Sequence, residues 1–123
     1  MIIHPDPRLT VCRVLRGVLP ADVFVGVTLP DPRPDRSVTV RCDGGRRLDV
    51  LRKRYQIAVN VRALELVDAS ELSELVSSVL WEASGDHGIT RVRVSISGQD
   101  VPDEAPVARL YSAFEVDLRG APS

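Results

Sequence analysis

The sequence contains few of the residues from which metal sites and nucleophilic active sites are built. Two cysteines and two histidines occur among 123 residues. Cys12 and Cys42 lie far apart and belong to no C-x-x-C motif or Cys/His cluster, so we interpret both as reduced residues of the core. His4 and His87 are isolated along the chain, and neither has a sequence partner that indicates catalysis.

Motifs of the common enzyme classes are also missing. The sequence has no G-x-S-x-G, no H-E-x-x-H and no dinucleotide-binding glycine motif. Asp100, Asp103 and Glu104 do not have the spacing of a calcium loop, and a solvated acidic loop is the ordinary explanation for them. The sequence therefore predicts a protein that is not an enzyme, with no cofactor and no metal.

An excess of charge and a long apolar run are absent as well. Lysine and arginine total 16 residues and aspartate and glutamate 17, so there is no bulk electrostatic argument for binding nucleic acid. No apolar run approaches the ~20 residues of a membrane span, and the N-terminus lacks the basic and apolar regions of a signal peptide. We expect a protein that is made in a cytoplasm and has no membrane partner.

Hydrophobic residues, in contrast, make up 44% of the chain, enough to fill one core without disulfides or metals. We predict a single domain, 1–123, organised around the stretch 51–63. Apolar and polar residues alternate over this stretch, which indicates a long strand with one buried face, at or near the centre of a sheet. The inward set is Tyr55, Ile57, Val59, Val61 and Ala63, and the outward set is Arg54, Gln56, Ala58, Asn60 and Arg62.

The first 29 residues predict a helix followed by a strand. Asp6 is a candidate N-cap, Pro7 suits the first turn, and an apolar stripe follows that ends at Gly17. Alternating apolar residues over 23–29 then predict the first strand.

The segment that leads into the central strand predicts a loop, a second strand and a hairpin turn. Three prolines within 30–36 favour an extended loop at the surface. Alternation over 37–42 predicts the second strand. The sequence D-G-G-R-R at 43–47 is a hairpin-type signal, so we expect the second and third strands to pair antiparallel across it.

The second half of the chain predicts one helix and two strands. Asp68 and Glu71 have the spacing of a capping box, and Gly85 is a candidate C-cap. Strands are predicted at 89–97 and 110–118, with a protruding polar loop at 98–107 between them. The apolar stripe of the helix is Leu72, Leu75, Val76, Val79, Leu80 and Ala83, so truncating Leu75 is predicted to open a core cavity.

These elements predict an α+β fold in the order α-β-β-β-α-β-β. The economical arrangement is a mostly antiparallel five-stranded sheet with two helices packed on one face. The other face is polar but carries Ala58, Tyr111 and Ala113 among its charges. We expect another subunit to cover part of that face.

Several segments together resemble the tail terminator proteins of long-tailed bacteriophages of the siphovirus type. The segments are R-C-D-G-G before the long strand, A-S-E-L-S-E-L-V-S-S-V-L-W on the helix, V-P-D-E in the acidic loop and R-L-Y-S-A-F-E-V-D-L-R-G at the end. The resemblance covers roughly 30–120 and lies in their order and spacing. It is closest to versions from phages of G/C-rich actinobacterial hosts. The loop 30–36 matches no function of that family.

The resemblance implies a virion structural protein at the head-tail junction. It implies a ring, usually a hexamer, that caps the tail tube, stops its polymerisation and presents a surface to the head connector. Genome DNA would pass through the lumen without specific binding. A near-neutral lining suits that role, because each arginine contact with a phosphate adds affinity that would retain DNA.

Two alternatives remain open at this stage. A head-tail connector or tail completion protein has similar size and α+β character. A cellular ligand-binding regulatory domain of ferredoxin-like type is the more distant alternative, and it should contain a pocket with convergent polar groups.

A ring also needs contacts between subunits, and the sequence offers charged candidates for them. Basic residues flank the glycine pair, and acidic residues occupy the loop 98–107, so one subunit's basic edge could meet its neighbour's acidic loop. Exposed ion pairs are weak individually, and solvated surfaces are the competing explanation. The candidate interface residues are Arg46, Arg47, Arg52, Arg54, Asp100, Asp103, Glu104 and Tyr111, with Ala113 as a further apolar candidate.

Overall fold

The computed structural model describes residues 1–85 and 87–122. Two residues of the predicted domain 1–123, Asp86 and Ser123, lie outside the described part. Across the described residues the chain has an α+β fold with two helices and seven strands, which confirms the predicted class. The elements are β1 (Ile2–Ile3), α1 (Pro7–Arg16), β2 (Phe24–Gly26), β3 (Ser37–Arg47), β4 (Arg52–Ala63), α2 (Leu66–Glu82), β5 (Ile89–Asp100), β6 (Ala108–Arg119) and β7 (Ala121–Pro122).

Five of the strands form one mixed sheet in the order β2-β3-β4-β6-β5. The β3–β4 pair is antiparallel, as predicted, and the β4–β6 and β6–β5 pairs are antiparallel too, but β2 runs parallel to β3. The remaining two strands, β1 and β7, pair antiparallel in a separate sheet that joins the two ends of the chain. The sequence did not predict these two-residue strands, because they are too short to show alternation.

The central position predicted for the long strand is confirmed, since β4 is the third of the five strands and pairs along its whole length with β6. Ile57, Val59 and Val61 are buried on the face that the helices cover. Ala58 and Asn60 are buried too, although they belong to the opposite, polar face. Neighbouring side chains on β3 and β6 therefore shield the middle of that face within one chain.

The predicted hairpin turn at 43–47 is wrong in position. β3 continues through these residues to Arg47, and the strand register shifts between Cys42 and Gly44. Gly44 has φ 142°, which glycine adopts without strain, so it forms a bulge instead of a turn. Gly45 lies under the ring of Tyr55, where an added Cβ would come within 2.6 Å of that ring. The antiparallel β3–β4 pairing itself is as predicted.

Both helices pack side by side on one face of the five-stranded sheet. Asp6 caps α1 by accepting a 2.9 Å hydrogen bond from the Arg8 N–H, and Pro7 is the first helical residue, as predicted. Cys12 in this helix is a buried free thiol, and Cys42 on β3 is a half-buried one.

The boundaries of α2 and the face that it buries both differ from those predicted. It begins at Leu66 with Glu65 as the N-cap, so Asp68 lies within the first turn, and Ala83 is the C-cap in place of Gly85. Leu75 is 37% exposed and therefore outside the core. The helix turns the small Ser73 towards Gly98 of β5, which permits close packing there. The buried residues of α2 are Ala69, Leu72, Ser73, Val76, Val79 and Leu80.

The predicted strand and loop boundaries also shift at the edges of the sheet. β2 ends at Gly26, three residues before the predicted end. β5 extends to Asp100 and β6 begins at Ala108, so the connection shortens to 101–107. Bulges in β5 leave Val94 and Ile96 each 38% exposed, although regular alternation over 89–97 would have pointed both inward with Val92.

Candidate functional site

The turn between β3 and β4 presents an exposed valine at one end of the central strand. The carboxylate of Asp49 accepts hydrogen bonds from the N–H groups of Leu51 and Arg52, at 2.9 and 2.8 Å, and forms an ion pair with the Arg52 guanidinium at 2.7 Å. An aspartate that bonds the backbone two and three residues ahead fixes a tight turn without glycine. Val50 therefore projects from a rigid turn, with 69% of its surface exposed.

A groove of about 430 Å³ adjoins this turn, and most of its lining is apolar. Val50 and Leu51 line one part of it, and Thr90 and Arg119 line another. Its surroundings are positively charged, because residues 46–53 contain four basic side chains and one acidic one, Asp49, which is already paired. We call this surface the basic end: Arg46, Arg47, Val50, Leu51, Arg52, Lys53, Thr90 and Arg119.

The environment of His4 reflects the positive potential of the basic end. Both ring nitrogens are buried without a hydrogen-bond partner among the described residues. Burial, and next the charges of Lys53 and Arg47, lower the pKa of His4. The histidine is therefore neutral at pH 7.

The opposite end of β4 carries a second exposed apolar surface. Leu64, Leu66 and Val67 follow the strand directly and are 59%, 51% and 71% exposed. α2 begins here, and its N-cap residue Glu65 makes no side-chain capping bond. The segment 64–75 itself carries acidic residues and no lysine or arginine, and the nearby Arg36 is paired with Asp68 at 3.3 Å. We call this surface the acidic end: Leu64, Glu65, Leu66, Val67, Asp68 and Glu71.

The polar face of the sheet is held by ion pairs within the chain. Arg54 donates two hydrogen bonds to Asp117, at 2.8 and 3.0 Å, from the directly opposite position on β6. Both side chains are largely buried, with 15% and 5% exposed. The hydrogen bonds from Arg54 to Asp117 raise the pKa of Arg54, so its guanidinium remains charged. A bidentate ion pair of this kind fixes the relative geometry of β4 and β6.

Asp103 joins two loops to the central strand. Its carboxylate accepts hydrogen bonds from Arg62 of β4 at 2.6 Å, from Arg33 of the proline-rich loop at 3.0 Å and from the Ala105 N–H at 3.1 Å. Burial alone would raise the pKa of Asp103, because only 3% of its side chain is exposed. The hydrogen bonds from Arg62, Ala105 and Arg33 outweigh that effect and hold the pKa well below its ordinary value of 3.8.

The predicted interface residues fall into three groups: residues in ion pairs of their own chain, exposed residues, and half-buried residues on the polar face. Arg54 and Asp103 are buried in ion pairs of their own chain, and the exposed Arg52 is paired with Asp49. The solvated-loop explanation is therefore wrong for Asp103. Arg46 and Arg47 are exposed at the basic end, Asp100 is exposed at the end of β5, and Glu104 is exposed in the adjoining loop. Tyr111 and Ala113 are half-buried on the polar face. Contact with a neighbouring subunit stays a prediction for this set.

Sequence reasoning missed the exposed apolar residues at the two ends of β4. Val50 lies between Asp49 and Leu51, and this local sequence shows no pattern that indicates an exposed apolar residue. Leu64, Leu66 and Val67 do give a signal, because they precede the predicted helix and match none of its stripe positions. An apolar cluster outside every predicted buried stripe is a reason to consider a contact surface.

Within residues 1–85 and 87–122, no group of three or more histidine, cysteine, aspartate or glutamate side chains is arranged to hold a metal ion. In the same described ranges, no helix is long and apolar enough to cross a membrane. No known protein family matches the chain, and no curated protein matches it either.

Proposed function

We propose that the chain is a structural protein of phage assembly of the tail terminator kind. In this proposal it forms a ring, a hexamer by resemblance, that caps the tail tube, stops its polymerisation and joins it to the head connector. The ring lies at the head-tail junction of the virion, genome DNA passes through its lumen, and no catalytic step is involved.

One observation carries the proposal: exposed apolar residues occur at both ends of the central strand. The strand has 12 residues, which places its ends about 35 Å apart. A subunit of a closed ring needs two different surfaces that meet head to tail. The basic end and the acidic end are two such surfaces, held at a fixed distance by the most extensively paired strand of the sheet.

The internal ion pairs of the polar face agree with this assignment of surfaces. Arg54 pairs with Asp117 and Arg62 pairs with Asp103 within the chain, so these four charges require no partner from another subunit. The exposed apolar residues at the two ends of β4 have no such internal partner, and burial against another protein would stabilise them.

Particle mass and shape test the proposal. We expect light scattering over a series of protein concentrations to show a species of several times 13.5 kDa, and negative-stain images to show rings of one diameter. Purified tail tubes are added where the chain alone associates weakly. A chain that stays monomeric at high concentration and does not bind tubes would contradict the proposal. A thermal shift with a metabolite would instead support the ligand-binding alternative.

A further inference from the structure

We propose that the basic end of one copy binds the acidic end of the next copy, with Leu66 and Val67 entering the groove beside Val50. The inference rests on the proposed ring and names the contact that builds it. The occupant of the groove is thus a second copy of this chain, bound head to tail.

The shapes and polarities of the two ends are complementary. The basic end contains a groove whose exposed surface is mostly apolar, with Val50 and Leu51 in its lining. The acidic end presents the exposed apolar side chains of Leu66 and Val67, where α2 begins. The two ends cannot meet within one molecule, because the paired strand β4 separates them. A contact between them therefore has to join two copies.

The charges that surround the two ends are opposite. Among the described residues Arg46, Arg47 and Arg119 of the basic end have no ion-pair partner, whereas Asp49 is neutralised by Arg52. At the acidic end Glu65 and Glu71 are likewise unpaired within the described chain, and Asp68 is paired with Arg36 at 3.3 Å. Opposite potentials accelerate association and align the partners, and the effect weakens as salt is added.

The same charges disfavour a symmetric dimer. Two basic ends, or two acidic ends, would bring like charges together, which costs free energy and selects against that arrangement. The contact is therefore heterologous, and a heterologous contact closes into a ring or continues as a filament according to its rotation angle.

Two variants that each block one end test the contact. Val50→Asp places an acid opposite the acidic end, and Val67→Lys places a base opposite the basic end. We expect each variant alone to need at least about tenfold more protein for assembly, as for truncation of a central interface residue. In an equal mixture, the intact basic end of Val67→Lys can bind the intact acidic end of Val50→Asp. The mixture should therefore form at least a dimer of the two variants.

Val18→Asp is the matched control, since Val18 is 59% exposed just beyond α1 and belongs to neither surface. It should assemble as the unmodified chain does, and thermal unfolding should show that all three variants are folded. Rings that form equally well with Val50→Asp or Val67→Lys would overturn this contact and leave the ring itself intact. A mixture that stays monomeric would also overturn it. An unmodified chain that never associates would contradict both the contact and the ring.

Discussion

Replacing Asp103 with alanine is expected to lower the free energy of unfolding by about 3–5 kcal/mol, because it leaves a buried arginine without its counter-charge. Arg62 is the residue left unpaired, with 16% of its side chain exposed. The Ala105 N–H loses its acceptor, and Arg33 loses the contact that holds the proline-rich loop. Urea unfolding at pH 7 measures the loss.

Glu104→Ala is the control for this substitution, because Glu104 is an exposed carboxylate in the same loop. The Glu104→Ala substitution should change the free energy of unfolding by no more than about 0.5 kcal/mol. An Asp103→Ala protein as stable as Glu104→Ala would show that the Arg33–Asp103–Arg62 cluster contributes nothing to the fold.

The pH dependence of stability should identify the same carboxylate. The folded state holds the pKa of Asp103 below its unfolded value of 3.8, so the stabilisation is complete above that pH. It decreases as the pH falls from about 4 towards the folded pKa, because protonation removes the charge that Arg62 and Arg33 require. Asp103→Asn should therefore lose less stability than the unmodified chain between pH 5 and pH 3. Equal slopes of unfolding free energy against pH for the two proteins would contradict this explanation.

Leu72→Ala is expected to destabilise the protein by about 2–5 kcal/mol, whereas Leu75→Ala, three residues further on, should cost much less. Leu72 is 1% exposed in the core, and its truncation leaves a cavity. Leu75 is more than a third exposed, so its truncation removes little buried surface. Both changes remove the same atoms from the same helix, so each controls for the other. Equal losses would show that the buried face of α2 is centred on Leu75.

The elements that depend on local sequence were the ones that could be predicted. Alternation identified β4 as the central strand, and the Asp6–Pro7 pair identified the start of α1. The glycine pair was misassigned because glycine serves a bulge as well as a turn, and local sequence does not distinguish them. The face of α2 was misjudged because its contact with Gly98 depends on a residue far along the chain.

The burial of Asp103 could not be predicted for a similar reason. Its partners Arg33 and Arg62 lie 70 and 41 residues away in the sequence. Only the folded chain brings them together, so V-P-D-E looked like an ordinary solvated loop. The exposure of Val50 is a comparable case, because it depends on where β4 begins.

The proposed function requires this chain to end the growth of a tail tube, and a tube polymerisation assay tests that role. Tail tube protein from the same genome is polymerised with and without the chain, and tube lengths are measured by negative-stain electron microscopy. We expect tubes to stop growing when the chain is present and to carry additional ring-shaped density at one end. Tubes of unchanged length with no density at either end would contradict it.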